Sequence, residues 1–400
     1  MPRFEPFRGL RYAALSTPIA QVIAPPYDVI TSAERVRLAS RHPANSVLVE
    51  LPEPDLQEGL DRYAVARALF AHWQNAGILL ADPEPSLYPY RMTNPSGRAS
   101  TGVMGVLGLG DPNGQGDVLP HEQTMPKPKS DRLDLLRATR ANLSPIWGLS
   151  MHKGLTATFD PTDDEPVFDA YDDDGVRHQL WVLSDVDSIA AVSAAIATAP
   201  VVIADGHHRY ETARTFAAES RAANGDLPGP YDLIFALVTE LAEDQLTVGA
   251  IHRTMADLPP EFDLVGAFSE WFDVVRAGAP DDRTLGALAD SGSLAMVTAD
   301  DAYLLLPLAK TYEEAGNDLD SSLIAVALSH LPPHEAMHRH SVAEAAGAVR
   351  SGEAQAAFLL RPVTVDQIEE WANERRRMPP KTTYFSPKPR TGMVFRSLDI

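Results

Sequence analysis

The sequence predicts a mixed α/β protein, and three observations carry that expectation. Apolar runs of strand length alternate with helical patterns along most of the chain. Residues 178–223 read strand, helix, strand, elbow, helix, the order of an α/β unit that binds its ligand at strand ends. The length, 400 residues with 44% hydrophobic and 22% charged content, exceeds one ordinary core and implies two or three domains. We expect an N-terminal α/β region at 1–110, a motif-bearing core at 111–258 and a C-terminal α/β region at 259–400.

Taken in order, Ile23 to Ile30 carries the pair Pro25-Pro26, which stiffens an extended backbone before Tyr27 and Asp28. This segment is either a rigid turn or a pocket wall. Thr31 or Ser32 caps a helix with Glu34 in its first turn. Asn45 to Leu51 reads as a strand, and Tyr63 to Ala76 as a helix closed by Gly77. Tyr88 to Met92 and Thr101 to Leu109 read as strands joined by Asn94 to Gly97. After the segment from Leu119, a helical pattern runs through Leu133, Leu136 and Leu143, with Ser130 or Asp131 as its N-cap. The acidic stretch Pro161 to Gly175 lacks the spacing of a calcium loop and reads as a solvated hairpin. His178 to Leu183 is a strand, and Ser184 or Asp185 opens the helix that ends near Ala199. Further strands are expected at Leu233 to Val238, Leu246 to Ile251, Leu294 to Val297, Tyr303 to Leu308 and Ala354 to Leu360. Helices are expected at Leu319 to Leu331 and Asp366 to Arg377.

Composition narrows the function classes. Cysteine is absent, which removes disulfides, thiolate metal sites and a catalytic thiol, and suits a reducing cytoplasm. No apolar run approaches the ~18 residues of a membrane helix, and the first residues lack the apolar region of a secretory signal. A net charge of −21 argues against a nucleic-acid backbone as partner, because an overall negative field repels phosphate. Only six lysines occur, Lys127, Lys129, Lys153, Lys310, Lys381 and Lys388, and four fall in two short proline-containing stretches.

The central motif is Asp205-Gly206-His207-His208-Arg209, between the apolar strand from Pro200 to Ala204 and a helical pattern reaching about Ala223. A helix N-terminus offers free N–H groups and partial positive charge, Gly206 permits a tight turn, and His207, His208 and Arg209 add donors. Phosphate is the natural guest. The alternative is that the two histidines are satisfied core donors. The second motif packs His121, Glu122, Thr124, Lys127, Lys129, Asp131 and Arg132 into twelve positions with two prolines. A solvated loop explains the charges, but a functional loop better explains the two scarce lysines. His334-Glu335-Ala336-Met337-His338 matches the zinc-hydrolase pattern, which needs a helix to bring both histidines to one ion; a chance match on a surface is the better reading. His252-Arg253, after a strand, is read as an ordinary basic pair. Lys381-Thr382-Thr383 lacks the glycine cradle of a phosphate loop, so its segment is either a C-terminal clamp or a second arm of an anion pocket.

Four stretches, Ala24 to Ile30, His121 to Lys129, Ala204 to Ala213 and Met378 to Lys388, together resemble the bacterial and archaeal family catalogued as domain of unknown function 1015. The Asp-Gly-His-His-Arg motif is also similar to the phosphate-binding motif of free-serine kinases with a ParB/sulfiredoxin-like fold. That resemblance implies a ParB/sulfiredoxin-like core around 200–223, with ATP or ADP and Mg as cofactors. It makes Gly206, His207, His208 and Arg209 phosphate ligands, helped by Lys127, Lys129 and Lys381. Asp205 becomes the metal-proximal carboxylate, with Glu122, Asp205 and His207 as catalytic candidates. Tyr27, Asp28, His121 and Thr124 are the substrate-side candidates.

The expectation is a cytoplasmic nucleotide-dependent kinase of a small hydroxylated metabolite, with free L-serine as best guess. Its partners are a nucleotide and a small molecule, with neither nucleic acid nor membrane. The alternative is a ParB-like nucleotide-binding switch without small-molecule transfer, and a third reading is metal-dependent hydrolysis.

Overall fold

The computed structural model describes residues 1–13, 17–110, 116–122, 130–160, 164–291 and 293–399. The chain is mixed α/β, as expected, and divides into two compact units. The first comprises Met1–Thr247, Ala372–Arg375 and Pro387–Ile400; the second comprises Val248–Trp371 and Arg376–Ser386.

Among the described residues, nine strands of the first unit form one sheet. Its path starts at Val118–Pro120 and continues through Val201–Asp205, Ile146–Ser150, Leu233–Glu240, Ala99–Gly108, Tyr88–Thr93, Arg177–Leu180 and Phe168–Tyr171. Phe4–Glu5 pairs off this path with Ala99–Gly108. The Val201–Asp205 strand lies parallel to Val118–Pro120, in register Val201 to Val118, and antiparallel to Ile146–Ser150. Parallel pairing places the segments after Pro120 and after Asp205 at the same end of the sheet. Leu87, Val103, Ile146, Val201, Ile203, Ile234 and Val238 form the core under the helix Val186–Ala197. The C-terminal segment threads back through this unit: Thr391 bridges Ala24, Phe395 bridges Leu10, and Arg396–Ser397 pairs with Ala141–Asn142.

In the second unit, six described strands form an antiparallel sheet in the order Phe272–Gly278, Ala302–Pro307, Ala295–Thr298, Ala356–Leu359, His252–Ala256, Glu335–Arg339. Alternate residues go to opposite faces, as the strand period requires. Met296, Phe358 and Met255 join Phe268, Phe272 and Leu323 in one cluster. Ala295, Val297, Ala357 and Leu359 meet Ala345, Ala346 and Val349 in the other.

Most elements stand where their residue patterns put them, including the Thr31 capping box with Glu34 and the helix His207–Ala223. Two readings are corrected. Asn45 to Leu51 is not a strand: Val47–Glu50 is a short helix, because Asn45 accepts from the Val47 amide at 3.0 Å and bends the chain into a turn. The helix beyond the second motif runs Ser130–Thr139, so Asp131 is a first-turn residue rather than its N-cap. There it binds Arg62 and Arg132, each at 2.7 Å. His252 and Arg253 come after the short strand Thr247–Gly249, as expected, and open the next one, His252–Ala256.

The zinc-hydrolase match fails on geometry. Glu335–Arg339 is an edge strand, with His334 just before it, and four extended residues span roughly 13 Å. His334 and His338 therefore cannot share an ion as they would on a helix. Burial, with Arg253 nearby, also pushes the His338 imidazole down to about 4.

Candidate functional site

The elbow is built by the end of one strand and the start of one helix. Gly206 sits at φ +90°, where a side chain is strained. A β-carbon there would also come within 3.0 Å of Ile146 and 3.1 Å of Arg209 Nε. Glycine is thus required twice, for the backbone angle and for the approach of Arg209. The helix His207–Ala223 begins immediately after it, and no side chain caps its first turn. Its leading N–H groups belong to His207, His208 and Arg209, with His208 half-buried.

Asp205 does not stand alone. Arg209 donates to its Oδ2 at 2.7 Å, and Lys388 donates to its Oδ1. Burial pushes the Asp205 carboxyl up, but Lys388 and then Arg209 outweigh it and hold it below the usual carboxylate range. Lys388, Arg209 and the helix N-terminus put positive charge beside Asp205, and Asp28 offsets part of it. Both Asp205 oxygens are occupied in this arrangement. Each oxygen keeps a further lone pair, and no group of three or more carboxylates and imidazoles suited to a metal occurs among the described residues.

The second motif meets the elbow because the two strands run parallel. His121 is buried and donates through Nδ1 to the carbonyl of Ile203 on the elbow strand. Its Nε2 lies 3.3 Å from Glu122 Oε1, and its ring stands 5.1 Å from that of His207. Burial, reinforced by His121, pushes the His207 imidazole down to about 3, so it is neutral at physiological pH. Among the described residues, His207 Nε2 is buried without a hydrogen-bond partner.

Tyr27 opens a 3₁₀ turn, Tyr27–Val29, and its ring packs 4.4 Å beneath the Arg132 guanidinium. Asp28 interacts electrostatically with Arg209 and Lys388. The double proline therefore positions a wall of this site. Thr124, Lys127 and Lys129 lie outside the described residues. Lys381 belongs to the second unit, where its carbonyl accepts from Arg253 at 2.9 Å.

Sequence reasoning left four participants out of the site. Lys388 was read only as part of a segment that is either a C-terminal clamp or an arm of an anion pocket, and its placement depends on a segment 183 positions from Asp205. Glu50, Arg132 and Ser144 sit on the other side of Arg209. Arg209 donates to Ser144 Oγ at 3.2 Å, and Ser144 donates to Glu50 Oε1 at 3.2 Å. The scarcity of lysine was the available signal for Lys388. A glutamate inside the apolar run Val47-Leu48-Val49-Glu50-Leu51 was the available signal for Glu50.

A buried ionic cluster close to the C-terminal segment also corrects the reading of the acidic stretch as a merely solvated hairpin. Asp172 is 7% exposed and accepts from His178 at 2.8 Å and from Arg390. Tyr90 bonds the other His178 nitrogen at 2.7 Å.

The sequence pattern of the family described as "Protein of unknown function (DUF1015)" matches residues 4–326. The chain belongs to this family. No curated protein matches this DUF1015 chain in sequence. Among solved structures it is similar to a conserved hypothetical protein from Pyrococcus furiosus, at 12% identity and TM-score 0.38, covering 71% of this chain and 93% of that one. A free serine kinase in complex with AMP matches at 13% identity and TM-score 0.38, covering 70% and 88%. SbnI with C-terminal truncation from Staphylococcus aureus matches at 12% identity and TM-score 0.37, covering 73% and 86%. Among the described residues, no helix is long and apolar enough to cross a membrane.

Proposed function

We propose that this protein is a nucleotide-dependent phosphotransferase acting on a small hydroxylated metabolite, with free L-serine as the first candidate acceptor. One observation carries the reading: the cation-braced elbow Asp205–Arg209 and the pair His121–Glu122 meet at the end of two parallel strands. Phosphoryl transfer needs little more than charge neutralisation, positioning and a base near the acceptor hydroxyl. The elbow supplies the first through helix N–H groups and Arg209. Glu122 supplies the last.

In the proposed step, the acceptor hydroxyl oxygen forms a bond to the terminal phosphorus of ATP or ADP. The bond from that phosphorus to its bridging oxygen breaks, and the nucleotide leaves with the electron pair. Glu122 takes the hydroxyl proton. His207, held neutral, donates or accepts a hydrogen bond without adding charge.

The test is phosphorus NMR of the protein with ATP or ADP and a panel of hydroxylated amino acids and metabolites. Transfer to an acceptor that is lost in Glu122→Gln supports the reading. Nucleotide binding without transfer to any acceptor supports a nucleotide-binding switch instead. Arg209→Ala should weaken nucleotide binding by about 1.5–3 kcal/mol, the value of a charge-assisted hydrogen bond. Unchanged affinity by calorimetry removes Arg209 from the phosphate site.

A further inference from the structure

Three stretches that stand far apart in the sequence meet at one edge of the second unit's sheet: His252-Arg253, the segment His334 to His340, and Lys381 to Tyr384. Strand Glu335–Arg339 is that edge, and it pairs antiparallel with His252–Ala256 in the register His338 to Arg253. Directly opposed residues of neighbouring strands share a face, with β-carbons roughly 5 Å apart, so His338 and Arg253 stand side by side. Arg253 donates Nη1 to the Ile251 carbonyl at 2.8 Å and Nη2 to the Lys381 carbonyl at 2.9 Å. Carbonyls fix a guanidinium without neutralising its charge. His340, one residue past the strand, lies against the Tyr384 ring, with centroids 4.4 Å apart.

The loop that brings Lys381 is anchored by its neighbour. Thr382 is buried, its hydroxyl donates to the Pro379 carbonyl at 2.8 Å, and it meets the Ser321 hydroxyl at 3.0 Å. Lys381 itself takes φ +59°, an angle that lysine seldom adopts, and its carbonyl is the one that Arg253 holds. Such conformations persist where the surroundings over-determine them, and they cluster at ligand clamps. The side chains of Lys381, His338 and His340 are exposed, so a molecule from solvent can reach them.

Four basic groups from three segments thus share one small area. Burial, then Arg253, Lys381 and His340, all push the His338 imidazole the same way, down. Crowding like charges costs free energy that a bound anion would offset. Two carboxylates on the same segments serve other partners: Glu344 accepts from the His340 amide at 3.0 Å at the start of the helix Val342–Arg350, and Glu353 accepts from Arg339.

We propose that this edge of the second unit binds a phosphate group, with Arg253 and Lys381 as its permanent cations and His338 and His340 as its titrating ones. Phosphate fits better than a carboxylate, because it brings up to about two negative charges and three strong acceptor oxygens to the four donors. Its second ionisation, at about 6, falls beside the ordinary histidine value of about 6.5, so imidazolium and dianion form together. A polyanion such as nucleic acid is disfavoured by the net charge of −21. All four residues belong to the second unit, and the inference does not depend on the phosphotransferase reading.

The experiment is NMR of the full chain carrying nitrogen-labelled histidine, with His338 and His340 assigned through His338→Gln and His340→Gln. Inorganic phosphate added at constant ionic strength should shift both imidazoles saturably, and chloride should not. Arg253→Gln should weaken that response about tenfold, the worth of one charge-assisted hydrogen bond. Lys381→Gln, an exposed change that leaves the Arg253 anchor in place, should weaken it in the same direction. ADP titrated in the same way separates two sources of the phosphate. Saturation at a lower concentration than inorganic phosphate assigns the site to a nucleotide, and saturation no tighter assigns it to free phosphate or a small ester. No saturable shift with phosphate or ADP, an equal response to chloride, or a response unchanged in Lys381→Gln overturns the assignment.

Discussion

Replacing Lys388 by methionine tests whether the C-terminal segment braces the elbow. The side chains of Lys388 and Asp205 are only 14% and 16% exposed, too little for solvent to screen the pair as it does on a surface. Removing one partner of a buried ion pair costs about 3–5 kcal/mol when the other charge is left alone. Here Arg209 stays at 2.7 Å from the same carboxylate, so part of the compensation survives. We expect a loss of about 2 kcal/mol, below that range. For a chain of 400 residues that lowers the melting temperature by roughly 2–3 °C. The loss should depend on pH with a definite sign. The folded Asp205 carboxyl is depressed, so its contribution is present above the unfolded value of about 3.9 and fades as pH falls through the lower folded value. Urea unfolding of wild type and Lys388→Met, at neutral pH and again below pH 4, should show a gap that narrows on acidification. Equal stability at neutral pH would refute the brace, and a gap unchanged by acid would refute its ionic origin.

Asp205→Asn should do the opposite to ligand binding: with the competing anion gone, affinity for inorganic phosphate rises severalfold while stability falls, both readable by thermal shift. Gly206→Ala should cost at least the roughly 1–2 kcal/mol of a left-handed alanine and displace Arg209, lowering both melting temperature and nucleotide affinity. Asp172→Asn should destabilise the protein by about 3–5 kcal/mol, because it strips Arg390 of its buried partner and leaves it only the exposed Asp174. Nitrogen NMR should find no His207 titration between pH 5.5 and 8, since burial and His121 keep it neutral throughout; a midpoint near 6.5 would refute that packing.

What the sequence made legible was local. The strand–elbow–helix from Val201 to Ala223 followed from an apolar run, one glycine and a helical repeat, and it stands where those signals put it. The Thr31–Glu34 capping box was equally local. The segment at Asn45 was misread because Val47, Val49 and Leu51 alternate like a strand; the Asn45 side chain instead accepts from the Val47 amide and turns the chain, with its Nδ2 held by the Gln21 carbonyl. Asp172 passed for a solvated residue because its partner Arg390 lies 218 positions away. Glu50, Ser144 and Lys388 were hidden for the same reason. Pairings set by the folded path leave no mark in spacing.

The distance between Lys388 and Asp205 also orders events during synthesis. When the elbow strand and helix leave the ribosome, Asp205 has Arg209 four positions on, but its second cation is still 183 residues from being made. Until that segment arrives and the long loop closes, the elbow is one positive charge short and the carboxylate is under-compensated. The elbow thus gains its second cation only after the whole second unit has been translated, so a chain stalled inside that unit carries the motif without the ion pair that braces it.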